Sequence, residues 1–150
     1  MRTTREQVYS ALFALVSQAK GVNTTARRTA IYTNIPPEQQ PALFQEQVGE
    51  NPINQGRGLP YVWELEVVLG VYAYCADETV APDTLLNPIL DSIEAILPPN
   101  TVLGPQTLGG LVYECRLVGN AKAFSGSLGN QAFAYIPIRI KTVNLQTPVF

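Results

Sequence analysis

The stretch YVWELEVVLGVYAYC, residues 61–75, is the strongest strand signal in the chain and decides the fold. Its residues alternate between two faces with the period of two that is typical of a half-buried β-strand. Because fifteen residues is long for one strand, we expect a bend or a β-bulge near Gly70. One face is apolar and the other carries acids: Trp63, Leu65, Val67, Leu69 and Val71 on the first, Glu64 and Glu66 on the second.

An amphipathic helix is predicted before this strand, over residues 5–19. Thr4 and Gln7 have the T-x-x-Q form of a capping box, in which a hydroxyl and an amide satisfy opposite ends of the first turn. Gly21 is expected to stop the helix, because glycine favours the turn that follows a helix end. The apolar stripe of this helix consists of Val8, Leu12, Leu15 and Val16.

A second amphipathic helix is predicted after the strand. Asp83 can cap its first turn, and Pro98 and Pro99 end it. Pro88 lies within the first turns, where a missing amide costs least. The apolar positions at helical spacing are Leu86, Ile89, Leu90, Ile93, Ile96 and Leu97.

Four further strands are predicted over residues 29–33, 42–48, 111–117 and 132–143. In the third of these, Leu111, Tyr113, Cys115 and Leu117 are expected on one face, opposite Glu114 and Arg116. In the last, Ala134, Ile136, Ile138 and Ile140 form the apolar face, opposite Arg139 and Lys141. Pro137 cannot donate to a ladder, which favours an edge strand or a bulge.

The glycines of GPQTLGGLVYEC, residues 104–115, could belong to a phosphate-binding loop or to a turn before a strand. A phosphate-binding loop follows a strand and opens a helix, whereas this segment follows a helix and precedes an alternating pattern. It also lacks lysine. We therefore interpret it as a turn that leads into a strand.

The order of elements is α-β-β-β-α-β-β. Its simplest packing is a single α+β domain of two layers over residues 1–150, with a largely antiparallel β-sheet and two main helices on one face. Long loops are expected at residues 51–60 and 119–131, and an extended tail at 144–150. Charges on the other sheet face could pair between strands: Glu64, Glu66, Glu114, Arg116, Arg139 and Lys141.

The composition excludes several kinds of chemistry. The chain has no histidine, so it lacks the commonest general base near neutral pH and the commonest metal ligand. Cys75 and Cys115 lack zinc-ligand spacing and are expected to be reduced, buried thiols. The net charge of −2 argues against a broad surface for nucleic acid. No apolar run reaches the ~20 residues of a membrane span, and no signal peptide is evident, so we expect a cytoplasmic protein without metal or cofactor.

Glu64 and Glu66 are the candidates for acid–base catalysis, because carboxylates two residues apart share one strand face. A catalytic carboxyl needs a pocket that shifts its pKa. A solvated sheet face is the favoured interpretation, and we expect no enzymatic activity.

The order of segments resembles the tail terminator proteins, also called tail-completion proteins, of phages with long non-contractile tails (siphophages) and related prophages. The similar segments are REQVYSALFALV, RRTAIYTNIPPEQQPALFQEQVGE, WELEVVLGVYAYC, LLNPILDSIEAIL and PQTLGGLVYECRLVG. The resemblance covers roughly residues 3–142, and its most specific parts are PPEQQPALF, LLNPILDSIEAIL and QTLGGLVYEC.

The resemblance implies an α+β fold and a structural role at the tail–neck junction of a virion. Six copies would form a ring on the head-proximal end of the tail tube and stop further addition of the tail tube protein. The ring would also present a docking surface to the head-completion protein of the neck. DNA would pass through the lumen as cargo without sequence-specific binding, and assembly would take place in the cytoplasm of a bacterial host.

Contacts with ring neighbours, tube or neck are expected in the two long loops and the tail. The candidate interface residues are Asn51, Gln55, Arg57, Lys122, Phe124, Leu128, Val149 and Phe150. The alternative for each loop is a plain solvent-exposed connection. Two other functions stay open, namely another ring protein of the neck or tail tube, such as a head-closure protein, and a small-molecule-binding or enzymatic domain centred on Glu64 and Glu66.

Overall fold

The computed structural model describes residues 3–28, 30, 34–53, 56–58, 61–97, 106–118 and 122–143, with the backbone alone for 122–128. The chain forms two α-helices, α1 (Arg5–Val16) and α2 (Asp83–Ile96), and a short 3₁₀ helix at Pro37–Gln39 between the first two strands. The strands are β1 (Thr24–Ala26), β2 (Ala42–Ile53), β3 (Val62–Tyr74), β4 (Glu114–Leu117), β5 (Lys122–Leu128) and β6 (Gln131–Thr142). The predicted strand at residues 29–33 lies outside the described residues, apart from Ala30.

The six strands form one sheet in the order β1-β2-β3-β6-β4, and β5 also pairs with β6. All pairs are antiparallel except β1 with β2, which is parallel. The predicted α+β fold class, with a largely antiparallel sheet and two helices, is therefore confirmed. The long strand β3 lies between β2 and β6 and pairs with both along most of its length.

The main core lies between the two helices and one face of the sheet. Alternate residues of β3 point into it, as the sequence pattern predicts, and so do alternate residues of β6. The fully buried members on these strands are Leu65, Val67, Leu69, Val71, Ala134, Ile136, Ile138 and Ile140. Val8, Leu12 and Val16 of α1 and Leu86, Ile89 and Ile93 of α2 cover them.

A smaller cluster lies on the reverse face of the sheet, near the ends of β2 and β3. It consists of Ile35, Ala42, Phe44 and Tyr72, with Phe133 packed against it. A buried amide pair lies beside it, because Gln131 Nε2 donates to Gln40 Oε1 over 2.7 Å and Gln40 Nε2 donates to Gln131 Oε1 over 3.1 Å. The segment that contains the 3₁₀ helix is thereby fixed to the sheet.

The capping box of α1 is present as predicted, with Thr4 and Gln7 bonded reciprocally. The helix ends at Val16 rather than at residue 19, because the Ser17 hydroxyl bonds the Phe13 carbonyl and the next residues form turns. Tyr9 is a core residue of this helix that the apolar stripe missed.

The expectations for the start of α2 were wrong in two respects. The N-cap residue is Pro82 and no side chain caps the helix; Asp83 is its first residue, and its Oδ1 is buried without a hydrogen-bond partner. Pro88 is the sixth residue of α2 and is therefore inside the helix, where it removes an amide that would bond the carbonyl of Thr84.

No β-bulge interrupts β3 at Gly70, so that part of the prediction was wrong. The register with β6 runs without a shift from Trp63 opposite Thr142 to Tyr74 opposite Gln131. The irregularity is on the neighbouring strand β2, between Gln47 and Gly49. Gly70 instead lies beneath the ring of Tyr135, the residue opposite it on β6.

The expectation that Pro137 favours an edge strand or a bulge was also wrong, because β6 is an inner strand whose pairing with β3 is regular. Pro137 accepts a hydrogen bond from the Val118 amide, so its missing amide faces the same side, away from β3. On that side β5 begins at Lys122, opposite Tyr135, and β4 ends at Leu117, opposite Ile138. Proline therefore occupies the gap between two short neighbouring strands.

The glycine segment forms a turn, as predicted. Leu108, Gly109 and Gly110 have φ angles of 52°, 73° and 90°, in the left-handed region that favours glycine. The strand that follows is shorter than expected and begins only at Glu114. Val112 is consequently buried and Tyr113 is 70% exposed, so the predicted placement of Tyr113 on the apolar face was wrong.

The predicted long loop over residues 119–131 was wrong as well. Residues 122–128 form β5, which pairs with the start of β6 through a tight turn that contains Gly129. The loop predicted at 51–60 is also shorter than expected, because β2 continues to Ile53 and β3 begins at Val62.

Candidate protein–protein interface

The predicted charged face of the sheet is present on the reverse side, beyond the aromatic cluster. Lys141 lies between two acids, with its Nζ 3.9 Å from Glu64 Oε1 and 3.8 Å from Glu114 Oε1. These three residues occupy opposed positions on β3, β6 and β4. They form one cross-strand row of alternating charge.

A second row lies two residues further along the strands. Arg139 is opposite Glu66, with an N–O separation of 4.0 Å, and Arg116 is opposite Arg139 on its other side. Arg116 also pairs with Glu114, its Nε 3.4 Å from Glu114 Oε1. The two arginines oppose each other, and Arg139 Nε is buried without a hydrogen-bond partner.

The two rows bear on the carboxylates that sequence analysis singled out. Glu64 and Glu66 each face a cation on β6 rather than each other, and they lie on one face of an antiparallel sheet. Glu64 and Glu66 therefore each have an ion-pair partner on the neighbouring strand β6.

The hairpin of β2 and β3 continues for one residue pair past the end of β6. β6 ends at Thr142, opposite Trp63, and β1 ends at Ala26, opposite Phe44, whereas β2 and β3 remain paired to Ile53 and Val62. We call residues 51–53, 56–58 and 61–62 the hairpin tip. It contains exposed Ile53, Arg57 and 54% exposed Tyr61.

The base of the hairpin tip is fixed to helix α1 by a polar cluster. Glu50 accepts hydrogen bonds from Arg5 Nε and from the Tyr9 hydroxyl, each 2.7 Å long. The guanidinium of Arg5 also lies 4.8 Å from the ring centroid of Trp63, a cation–π distance. Burial and the Glu50 carboxylate raise the pKa of Tyr9, so its hydroxyl stays a donor over the ordinary pH range.

Acidic residues are concentrated in the segment after β3 and along α2. This acidic segment contains Asp77, Glu78, Asp83, Asp91 and Glu94. None of the ion pairs between described residues involves these five. Thr79 donates to the Asp77 carboxylate from its hydroxyl and its amide, which lowers the pKa of Asp77.

A shallow groove of about 560 Å³ lies between the end of α1 and the outer side of α2. Its lining includes Gln18, Lys20, Pro88, Asp91, Ala95 and Ile96. The Lys20 amide donates to Ser92 Oγ over 3.0 Å and connects the two sides. Exposed Val80 and Leu85 also lie in this part of the chain.

The predicted interface residues are distributed over the molecule rather than gathered at one place. Asn51 is exposed near the end of β2, and Arg57 is in the hairpin tip. The positions Lys122, Phe124 and Leu128 all belong to β5, which pairs with β6 and with no second strand among the described residues. Gln55, Val149 and Phe150 lie outside the described residues.

Sequence analysis missed several exposed apolar side chains. Tyr113 followed an apolar run and gave no signal of exposure, since only the unexpected turn places it in solvent. Val48 is exposed because it lies in the irregular part of β2. Tyr74 is the last residue of β3 and half-exposed, where the strand leaves the sheet.

Neither cysteine pairs with the other, and both thiols are buried. Burial, with a smaller effect of Glu114, raises the pKa of the Cys115 thiol to about 12, so it is not a nucleophile near neutral pH. Within the described part of the chain, no three His, Cys, Asp or Glu residues are grouped so as to hold a metal ion. No helix there combines the length and apolar character that crossing a membrane requires.

Comparisons with known proteins found similar chains among solved structures. No protein-family model matches the chain, and no curated protein matches it. A chain in a solved structure of the virion of a native gene transfer agent (GTA) particle is similar at 15% sequence identity, with a TM-score of 0.44. The match covers 89% of this chain and 90% of that chain.

Proposed function

We propose that the protein is a structural component of a phage-like virion, a tail terminator whose copies form a ring on the head-proximal end of the tail tube. The ring stops addition of tube subunits and offers its other face to the head-completion protein of the neck. DNA passes through its lumen. The protein itself catalyses no reaction in this account.

The observation that carries the proposal is that the domain has a complete core and still exposes apolar side chains at both ends of its long strands. Ile53 and Tyr61 are exposed at one end of the long strands, and Tyr74, Val80 and Leu85 at the other. Exposed apolar groups rimmed by polar residues mark surfaces for protein contacts. A ring needs two such surfaces on each copy, because its interface is heterologous.

The resemblance to tail terminators is the reason for proposing this particular role. Two of the most specific similar segments form structural elements here, since PPEQQPALF contains the 3₁₀ helix and the start of β2, and LLNPILDSIEAIL is most of α2. The net charge of −2 suits a conduit, because an acidic protein does not retain DNA electrostatically. The same features also fit another ring protein of the neck, and the experiment below separates the two.

The test uses tail tubes assembled from the tube protein of the same virus. Added to growing tubes, the protein should bind one end of each tube and stop elongation there, so that tube length in electron micrographs falls as its concentration rises. A tube protein would instead be incorporated along the whole length. Tubes that grow unchanged, without protein at either end, would contradict the proposal.

A further inference from the structure

We infer that strand β5 of one copy pairs with strand β1 of the next copy, so that the β-sheet continues from copy to copy around the ring. The inference rests on the proposed function. It deepens that function by naming the two strands that meet, the backbone groups that join them and the partner, a second copy of this chain.

The two strands are the outer strands of the sheet at one level. There the sheet has five strands in the order β1-β2-β3-β6-β5. One cross-strand row passes through all five, and its members are Thr25, Leu43, Val71, Ala134 and Ala123. Among the described residues, β1 pairs only with β2, and β5 pairs only with β6. Each of the two strands therefore has an outer side that no described strand covers.

On β1, the backbone groups of Thr25 point to the outer side. Thr24 lies opposite Ala42 and its amide donates to the Pro41 carbonyl over 3.3 Å, so the backbone groups of Thr24 face β2. Successive residues of a strand direct their amide and carbonyl groups to opposite sides. The amide and carbonyl of Thr25 therefore point away from β2, and no described turn or loop residue bonds them.

On β5, the backbone groups of Ala123 point to the outer side. The Val118 amide donates to the Pro137 carbonyl, so the backbone groups of Pro137 face the side of β4 and β5. Because β6 is regular here, every second residue from Pro137 faces that side, and Ala134 faces β3 instead. Ala123 lies opposite Ala134 and therefore forms a pair without hydrogen bonds, in which its own amide and carbonyl point away from β6.

The strand directions match between copies. β1 runs parallel to β2 and therefore to β6, whereas β5 runs antiparallel to β6. A second copy placed by rotation about an axis along the strands thus brings its β5 antiparallel to β1 of the first. The amide of Thr25 then meets the carbonyl of Ala123, and the amide of Ala123 meets the carbonyl of Thr25. A contact between two different edges is heterologous and generates a ring when the rotation closes.

The outer side of β1 also lacks the features that protect an edge from pairing. Charged side chains, prolines and β-bulges are the usual protection. The sequence of β1 is Thr-Thr-Ala and all three residues are half-buried. The rest of β2, past the end of β1, has such protection, because it contains Glu46, Pro52 and the register shift between Gln47 and Gly49. A neighbouring strand is therefore expected at β1 rather than further along β2.

Proline substitutions test the outward amides. Thr25→Pro removes an amide that β2 does not use, and an edge strand tolerates proline there. Ring formation should weaken at least about tenfold, because a hydrogen bond is lost and the proline ring obstructs the incoming strand. Ala123→Pro should have the same effect from the other edge. Thr25→Ala and Ala123→Ser keep the amides and should assemble like the wild-type chain.

Assembly of these full-length chains is measured by light scattering and by the fraction of tube ends that carry protein. Circular dichroism and urea denaturation check that each proline variant is folded. A folded proline variant with weakened assembly supports the inference.

Cysteine substitutions identify the strands that meet. In the proposed register Ala26 of one copy lies opposite Lys122 of the next, in a pair without hydrogen bonds whose Cα atoms are about 4.5 Å apart, within disulfide range. Ala26→Cys and Lys122→Cys chains are oxidised separately and as a mixture, and only the mixture should form a covalent dimer. Both native thiols are buried. Glu38→Cys is the control for Ala26→Cys, because Glu38 is exposed and outside both strands, and it should form no dimer with Lys122→Cys.

Three results would overturn the inference. Folded proline variants that assemble like the wild-type chain would exclude the outward amides. A covalent dimer of either cysteine variant alone would mean that two like strands pair about a two-fold axis. A mixture without a covalent dimer would exclude the pairing of β1 with β5. In all three the wild-type chain still caps tubes, whereas a wild-type chain that neither assembles nor binds tubes would defeat the proposed function itself.

Discussion

Glu50 is the residue on which the position of the hairpin tip depends. It lies near the end of β2 and accepts hydrogen bonds from two residues of α1 that sequence analysis treated as ordinary helix positions. The helical pattern gives Tyr9 no partner, because the contact joins residues 41 positions apart. Long-range polar contacts of this kind cannot be read from local periodicity.

Replacement of Tyr9 by phenylalanine tests this cluster. At neutral pH we expect Tyr9→Phe to lower the free energy of unfolding by about 2 kcal/mol, since it removes a hydrogen bond to a carboxylate but keeps the ring. Urea denaturation measures this loss. Tyr113→Phe is the control, because Tyr113 is exposed, and it should leave stability unchanged.

The difference in stability between the wild-type chain and Tyr9→Phe should depend on pH. Burial and Glu50 raise the pKa of Tyr9 above the ordinary tyrosine value of 10.0, so the unfolded chain loses this proton first. The contribution of Tyr9 is complete below pH 10 and is lost as the pH rises toward its folded pKa. The difference between wild type and Tyr9→Phe should therefore shrink above pH 10, by about 1.4 kcal/mol per pH unit. A constant difference between pH 9 and 11 would contradict the raised pKa of Tyr9.

At the scale of elements, the long regular patterns predicted structure and the short or irregular ones did not. Alternation over β3 and β6 predicted both strands and both of their faces, because each buries one complete side. β5 was missed, since its serine- and glycine-containing sequence KAFSGSL has no alternation of apolar and polar residues and depends on pairing with β6. The prediction for Pro137 was wrong because the gap between β5 and β4 depends on where both strands pair with β6, which the local sequence does not show.

The interface candidates were predictable only in part, for a related reason. The sequence distinguishes the cationic segment around Arg57 from the acidic segment around α2. It does not reveal that β2 and β3 stay paired one residue past the end of β6, or that α2 ends beside Gln106, the position that pairs with Cys115.

Pro88 is a position in helix α2 at which a substitution should make the protein more stable. We expect Pro88→Ala to raise the free energy of unfolding by about 1–2 kcal/mol, because alanine restores a hydrogen bond to the Thr84 carbonyl and has a higher helix propensity. The neighbouring exposed Asn87→Ala is the control and should change stability by less than about 0.7 kcal/mol. Thermal and urea denaturation of the three chains give the comparison. A less stable Pro88→Ala chain would mean that the proline ring supports packing in the groove.

At the scale of the whole molecule, exposed apolar side chains occur at both ends of β3, with Ile53 and Tyr61 at one end and Tyr74 and Val80 at the other. Two different surfaces on each copy suit an assembly in which every copy makes the same contact in the same direction. The charge rows on the reverse face contain as many acids as bases.

The most direct test of the central claim is the mass of the assembled protein, measured by light scattering alone and after release from capped tail tubes. We expect one discrete closed oligomer in at least one of the two conditions, with a mass that stays the same as concentration rises. A ring of six would have six times the chain mass of 16.4 kDa. A monomer under both conditions, a reciprocal dimer, or a mass that grows without limit with concentration would contradict the account.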